Sequence, residues 1–544
     1  MTNRTRTDAL LLAGFCAFLF FYGLAQFGLI GADEPRYAQV AREMLERRDW
    51  VTPTLGGHAW LEKPPLYYWQ AMAAYSVFGV NDWSARLPSA FDATLLVLAV
   101  YFFLRRFRPG AELDGALMVA SCAGVIGYAR AASTDMPLTA ALGVALLAWW
   151  AWRESGSRVY LAAFYAFIAL ATLAKGPVAV LLAAGAIALY VAAFREWRLI
   201  GKTLWLPGIV LFCVIALPWY IAAQERNSQF FHEFILQHNL ERFSQNLYHH
   251  PEPLWYYLPV SALALVPWTI FVLSAATRTV RVWISERNST TADTDWTQHF
   301  RVFCLCWLLT PIVFFSFSQS KLPGYILPAI PAGGLLLGVY VREQLQNEDD
   351  PVPRGLVVLH ALLSSAPLVP ALLIAYLTAQ HRLPGGAPMY IAMGVAFVLC
   401  AAIALTLARR GGLRMLRFVT LIPVVLTIGA VLKLGAVSLD ETLSARPLAN
   451  EISAMESRQL PLAVYHIHRE LEYGLTFYRN QLTLNYGWGT IPKQEHLLVA
   501  PEHSQVEIGQ LMPGRRVSYL GHDAAQHVDY FWIAPAAGVP AIPQ

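Results

Sequence analysis

Two carboxylates, Asp33 and Glu34, stand side by side in the segment Gly31-Ala32-Asp33-Glu34-Pro35-Arg36-Tyr37. Proline fits an early helical position, and either acid can accept from the free N–H groups of a helix start. Capping therefore accounts for one acid and leaves the other spare. A spare carboxylate near a basic cluster suits a general base that takes the proton of an attacking hydroxyl. Further on, Glu62 and Lys63 precede two prolines and an aromatic run, Leu66-Tyr67-Tyr68-Trp69. Two readings fit this charge pair at interface depth. In one, the lysine snorkels within an aromatic belt. In the other, Lys63 binds an anionic headgroup while Glu62 binds a cation or a partner.

More ionisable groups follow at the borders of apolar runs. Asp135 lies in Ser133-Thr134-Asp135-Met136-Pro137 behind Arg130, and Lys175 in Ala174-Lys175-Gly176-Pro177. His238, Arg242, His249 and His250 come next, then Trp255-Tyr256-Tyr257, then Lys321 and Tyr325 in Lys321-Leu322-Pro323-Gly324-Tyr325. Ionisable groups at membrane borders are functional candidates by default. Lys63, Lys175, Arg242 and Lys321 are of the type that surrounds a phosphate through charge-assisted bonds. At membrane depth such a phosphate belongs to a lipid. No glycine-rich nucleotide loop precedes a helix, which argues against a soluble nucleotide donor.

The elements that must position these groups are set by composition. The chain has 544 residues, 56% hydrophobic and 14% charged, where soluble chains carry about 25% charged residues. So few charges cannot cover a soluble surface of this size, and the chain reads as an integral membrane protein. A net charge of +4 is too mild to argue for nucleic acid. All six cysteines lie in apolar runs and imply no disulfide framework.

Apolar runs long enough to cross a hydrocarbon core about 30 Å thick fall near 9–31, 87–105, 114–130, 136–153, 159–174, 177–194 and 204–223. Others fall near 255–277, 301–317, 325–341, 355–378, 388–408 and 418–437, about thirteen spans in all. Basic residues collect in every second loop: Arg105, Arg106 and Arg108; Arg153 and Arg158; Arg195, Arg198 and Lys202. The series continues through Arg278, Arg342 and Arg409. These loops and the N-terminus are expected to face the cytoplasm. The long loops 32–86 and 224–254 and the tail 438–544 then lie outside, beyond a membrane domain spanning 1–437.

Within the first long loop, Tyr37, Val40, Ala41, Met44 and Leu45 follow helical spacing, with Arg36, Arg42, Glu43, Glu46 and Arg47 off that stripe. This predicts a short helix with its apolar side in the membrane interface and its charged side wet, or else packed on the bundle. The tail alternates short β-like segments, near 462–467, 482–486, 496–499, 517–520 and 528–533, with polar or Gly/Pro turns, and predicts a small α/β domain. Its six histidines show no ligand spacing, which suits surface or structural roles. No internal repeat is evident and the ionisable groups gather at one face. Both disfavour a transporter, in which repeated halves and midplane polar groups are usual.

These stretches resemble the membrane-embedded GT-C glycosyltransferases, and more closely the bacterial undecaprenyl phosphate-aminoarabinose:lipid A transferase family. The likeness rests on Asp33-Glu34-Pro35-Arg36-Tyr37 leading into Arg42-Glu43-Met44-Leu45, then Glu62-Lys63-Pro64, Leu173-Ala174-Lys175-Gly176, His238 with Arg242-Phe243, Trp255-Tyr256-Tyr257 and Lys321-Leu322-Pro323-Gly324-Tyr325. It implies a polytopic α-helical GT-C fold with a C-terminal periplasmic α/β domain, in a bacterial inner membrane. It also implies inverting transfer of a sugar, 4-amino-4-deoxy-L-arabinose, from undecaprenyl phosphate to lipid A at the periplasmic face, by a monomer. Asp33 would assist the acceptor, with Asp135 a second catalytic acid. Lys63, Arg242, Tyr325 and Lys321 would hold the donor phosphate, and Glu62 and His238 would ligate a divalent metal such as zinc. The chain departs from the family pattern at Pro35, at Ser320 and in the spacing between His238 and Arg242. Another sugar or a protein acceptor is the alternative, and a lipid or sugar flippase a third.

Overall fold

The computed structural model describes residues 3–234, 252–286, 295–346, 352–372, 387–409, 412–489 and 491–536. Among these residues, helix overlaps each of the thirteen apolar runs. Eight of these helices are long and apolar enough to cross a membrane, and ten if each of two bent pairs counts as one span. The remaining runs lie on α1 (Asn3–Cys16, continued by a wider turn over Ala17–Phe21), α7 (Asp135–Ser155) and α9 (Val178–Phe194). The chain is a multi-pass membrane protein.

The first run is expected to be helical to residue 31, but helix stops at Phe21. Residues 22–31 loop instead, with Gly23 and Gly31 both at positive φ. The loop then delivers the acidic pair to a new helix, α2 (Asp33–Arg47). A small hairpin follows, β1 (Thr54–Leu55) with β2 (His58–Ala59), then α3 (Leu66–Phe78) and the long α4 (Asp82–Phe107). Asn81 caps α4 through a reciprocal pair of bonds with Ser84. Helices α5 (Glu112–Ser121) and α6 (Ala123–Ala129) form an apolar pair bent by 65°. Beyond α7 come α8 (Arg158–Lys175), α9, the short α10 (Arg198–Thr203) and α11 (Leu206–Arg226).

The membrane core is closed by large rings. Trp149, Trp150, Tyr190 and Phe303 pack together with centroids 5.0–6.4 Å apart, an arrangement that adds to the area they bury. Small residues allow close helix approach elsewhere: Gly338 lies against the backbone of Gly115, where a Cβ would meet Cα at 2.7 Å.

The tail folds as expected into five strands, β3 (Leu462–Val464), β4 (Leu484–Asn485), β5 (His496–Pro501), β6 (Val517–Asp523) and β7 (Val528–Ile533), in the order β4-β3-β5-β7-β6. The β3 strand is parallel to both its neighbours, while β5, β7 and β6 are antiparallel. The tail helix Arg469–Arg479 packs on α2. That contact takes part of the charged side of α2 out of water. Arg36 and Arg42 are buried, and the Arg42 guanidinium donates to the Phe477 carbonyl at 2.7 Å. Glu46 and Arg47, farther along the same helix, stay exposed.

Candidate active site

A cavity of about 420 Å³ opens where α2, the 62–63 segment, α6, the start of α7, the end of α8, the 322–325 turn and the tail helix converge. Asp33, Glu62, Lys63, Asp135, Lys175 and Tyr325 all line it, so six candidates from five separate segments share one space. Arg36, Tyr128 and Ser133, together with Arg469 and Glu470 from the tail, line it as well.

The adjacent acids divide their work. Glu34 is buried and fully engaged: its carboxylate takes the N–H of Ile30 and of Ala132, each at 2.8 Å, and meets the Arg86 guanidinium at 2.6 and 3.2 Å. Arg86 in turn donates to the carbonyls of Leu24, Phe27 and Gly28. This knot holds the loop that ends α1 against α4 and the 132 turn. Asp33 is the spare acid, with 55% of its side chain exposed and Arg36 at 2.5 Å. Gly31, at φ +67°, turns the chain into α2 in a conformation that a side chain would strain. Arg36 also lies 3.6 Å from Glu62. Burial works against its charge, but Tyr37, Glu62 and Asp33 more than offset this and raise its pKa.

On the other wall, Lys175 ends α8 and pairs with Asp135, which opens α7. Ser133 fixes Asp135 from both sides: its hydroxyl donates to the carboxylate and accepts the Asp135 N–H, each at 3.0 Å. The Lys175 ammonium also sits 4.9 Å from the centre of the Tyr325 ring, within cation–π range. Gly324 lets this turn approach the bundle, because a Cβ there would lie 2.6 Å from the Tyr128 hydroxyl.

Lys321 is placed differently from the other candidates. Its ammonium is buried on the carbonyls of Ser318 and Glu252, at 2.6 and 3.0 Å, outside the lining of the cavity. It braces the turn that carries Tyr325. His238 and Arg242 lie outside the described residues. A metal is expected at Glu62 and His238. Glu62 faces Arg36, and among the described residues no group of three or more His, Cys, Asp or Glu could hold an ion. The described residues thus form no metal site by themselves.

Sequence reasoning missed Arg86 and the two tail residues. Arg86 carried a usable signal, an arginine five residues into a membrane-length apolar helix. Arg469 and Glu470 carried none, since only the tertiary fold brings them here.

The comparisons with known proteins accord with this architecture. Residues 8–234 match the family model described as Dolichyl-phosphate-mannose-protein mannosyltransferase. The chain is 32% identical over 360 residues to the undecaprenyl phosphate-α-4-amino-4-deoxy-L-arabinose arabinosyl transferase of Pseudomonas paraeruginosa, a match spanning 65% of this chain and 63% of that relative's length. The protein of the same name from Erwinia tasmaniensis is 27% identical over 508 residues, 86% of this chain and 87% of its own. Among solved structures, ArnT from Cupriavidus metallidurans bound to undecaprenyl phosphate has a TM-score of 0.74 at 22% identity, covering 98% of this chain and 99% of that one. The shared feature at that identity is the fold.

Proposed function

We propose, from the premise that this chain is a multi-pass membrane protein of the GT-C fold with relatives named undecaprenyl phosphate-aminoarabinose transferases, that it is an inverting glycosyltransferase. It moves 4-amino-4-deoxy-L-arabinose from undecaprenyl phosphate to lipid A. The observation that carries this reading is the single cavity in which the spare acid Asp33 meets Lys63, Lys175 and Tyr325.

The chemistry needs positioning more than covalent help. The acceptor hydroxyl oxygen attacks the anomeric carbon from the face opposite the phosphate, and its proton passes to the Asp33 carboxylate. The bond from the anomeric carbon to the phosphate oxygen breaks, and undecaprenyl phosphate leaves with the electron pair. Lys63 and the Tyr325 hydroxyl, with Arg242 beyond the described residues, stabilise the growing phosphate charge. Asp135 acts by holding Lys175 in place. Keeping both lipids in one cavity removes much of the bimolecular cost. A divalent ion at Glu62 and His238 is an auxiliary part of the proposal. Metal analysis of the purified protein and its Glu62→Gln variant tests it.

The site faces the periplasm in this proposal. Helix α4 begins beside the cavity and ends at Arg105 and Arg106, and α7 begins at Asp135 and runs to Arg153. Basic residues thus cap the end away from the cavity, which the positive-inside rule assigns to the cytoplasm.

The test is to incubate the purified chain with undecaprenyl phosphate-aminoarabinose and lipid A, then weigh the lipid. One added aminoarabinosyl group supports the proposal. No increment with an active carrier preparation overturns it. A parallel arm with a serine-rich peptide addresses a second reading, transfer to a protein hydroxyl, which the mannosyltransferase family model over 8–234 favours.

A further inference from the structure

At the end of the bundle away from the catalytic cavity lies a second cavity of about 680 Å³, lined by Arg153, Arg195, Arg198, Lys202 and Trp197 with Glu196. The separation follows from α7, which carries Asp135 at its start and Arg153 near its end. Those positions stand about 27 Å apart at the rise of an α-helix. Arg153 is neutralised by Glu196 at 2.6 Å. Arg195, Arg198 and Lys202 are exposed and form no ion pair among the described residues. Three uncompensated cations thus rim one pocket beside an exposed tryptophan, a residue suited to the lipid interface.

The short helix α10 has a second side. Arg198 and Lys202, four residues apart, face the basic cavity, while Ile200, Thr203 and Leu204 line a groove of about 360 Å³ between α8, α9 and α11. The groove is apolar. The hydroxyls among its lining residues are satisfied by protein: Tyr165 donates to the Thr203 carbonyl at 2.6 Å, and Thr203 donates to the Leu199 carbonyl at 2.9 Å. A cationic pocket and a dry groove thus share one wall.

We propose that α10 is the centre of a binding site for an anionic phospholipid, its phosphate among Arg195, Arg198 and Lys202 and one acyl chain in the α8–α9–α11 groove. Basic pockets between transmembrane helices are a recognised way to hold such headgroups. The site is separate from sugar transfer and stands whether or not that reading holds.

Native mass spectrometry of the detergent-purified full chain tests it, with phosphatidylglycerol, phosphatidylcholine of the same acyl chains, and glycerol phosphate as probes. Retention of phosphatidylglycerol over phosphatidylcholine is expected. The triple variant Arg195→Gln, Arg198→Gln, Lys202→Gln should weaken that retention by about fivefold per charge removed. Ala184→Phe, which fills the groove, should weaken it with the charges intact. Unchanged thermal unfolding midpoints show that the variants fold. Equal retention of the two lipids by the native chain, undiminished retention by either variant, or displacement of phosphatidylglycerol by glycerol phosphate overturns the proposal.

Discussion

Glu34 and Arg86, 52 positions apart in sequence, meet at 2.6 Å with 7% and 1% of their side chains exposed. Burial makes their pairing obligatory, since a lone charge left there would be uncompensated. Replacing Glu34 by Gln should cost about 3–5 kcal/mol, read by SDS titration of the purified protein. Arg86→Met should cost more, because it also strips the carbonyls of Leu24, Phe27 and Gly28 of their donor. A loss below that of an ordinary surface change in both variants would show the knot to be dispensable.

Asp33 is the acid that the knot leaves unused. Asp33→Asn keeps its size and removes its basicity, so kcat should fall by about 10²–10⁴ while the donor KM stays near its native value. Lys63→Ala should show the opposite split, with most of the loss in donor KM. Steady-state transfer with labelled donor separates the two. Near-normal turnover in both variants removes the mechanism.

The tail is docked by Arg446, which bonds to Asp82 and to Asp440 at 2.7 Å each. Asp440 and Tyr478 in turn hold the N–H groups of Gly28 and Leu29, at 2.7 and 2.6 Å. Arg446→Ala deletes charge-assisted bonds worth about 1.5–3 kcal/mol apiece and should speed deuterium exchange at Gly28 and Leu29 about tenfold or more. Transfer should fall with it, because the same loop leads into Asp33. Unchanged exchange there would mean that the tail docks by apolar contact alone.

His496 lies buried in the tail domain with one ring nitrogen on the Tyr486 hydroxyl and the other 2.8 Å from the Gln494 carbonyl. Burial pushes its pKa down to about 4 from 6.5. Between those values the unfolded chain binds the proton more readily than the native one, so stability falls as pH drops through this window. Below about 4 the contribution is fully lost. Thermal unfolding followed by intrinsic fluorescence should show this slope, and His496→Gln should flatten it. A slope that is the same in the variant assigns it to other groups.

The spans were legible because length and hydropathy are local properties, and helix covers at least part of each of the thirteen runs among the described residues. The tail strands were legible for the same reason, from alternation and turn residues between Leu462 and Ile533. The fate of α2 was only half legible. Its stripe gave the helix, but Arg36 and Arg42 looked like a wet face because their cover, the Arg469–Arg479 helix, lies more than four hundred residues away. Spacing likewise marked Asp33 and Glu34 as a pair without telling which was spare. That choice is made by Arg86 and by the Ala132 N–H, neither of which leaves a mark beside the pair. Lys321 resembled Lys63 as a cation at a membrane border, and only the fold shows that backbone carbonyls claim it.

The bonds from Asp440 and Tyr478 to Gly28 and Leu29 also set an order of events in the cell. The loop that leads into Asp33 is synthesised more than four hundred residues before Asp440 and Tyr478. Elongation at about 5–20 residues per second separates Asp33 from Tyr478 by roughly 20–90 s. For that interval the loop is held by the Glu34–Arg86 knot without the bonds from the tail. A chain stopped before Asp440 would lack both of these bonds to the loop that leads into Asp33.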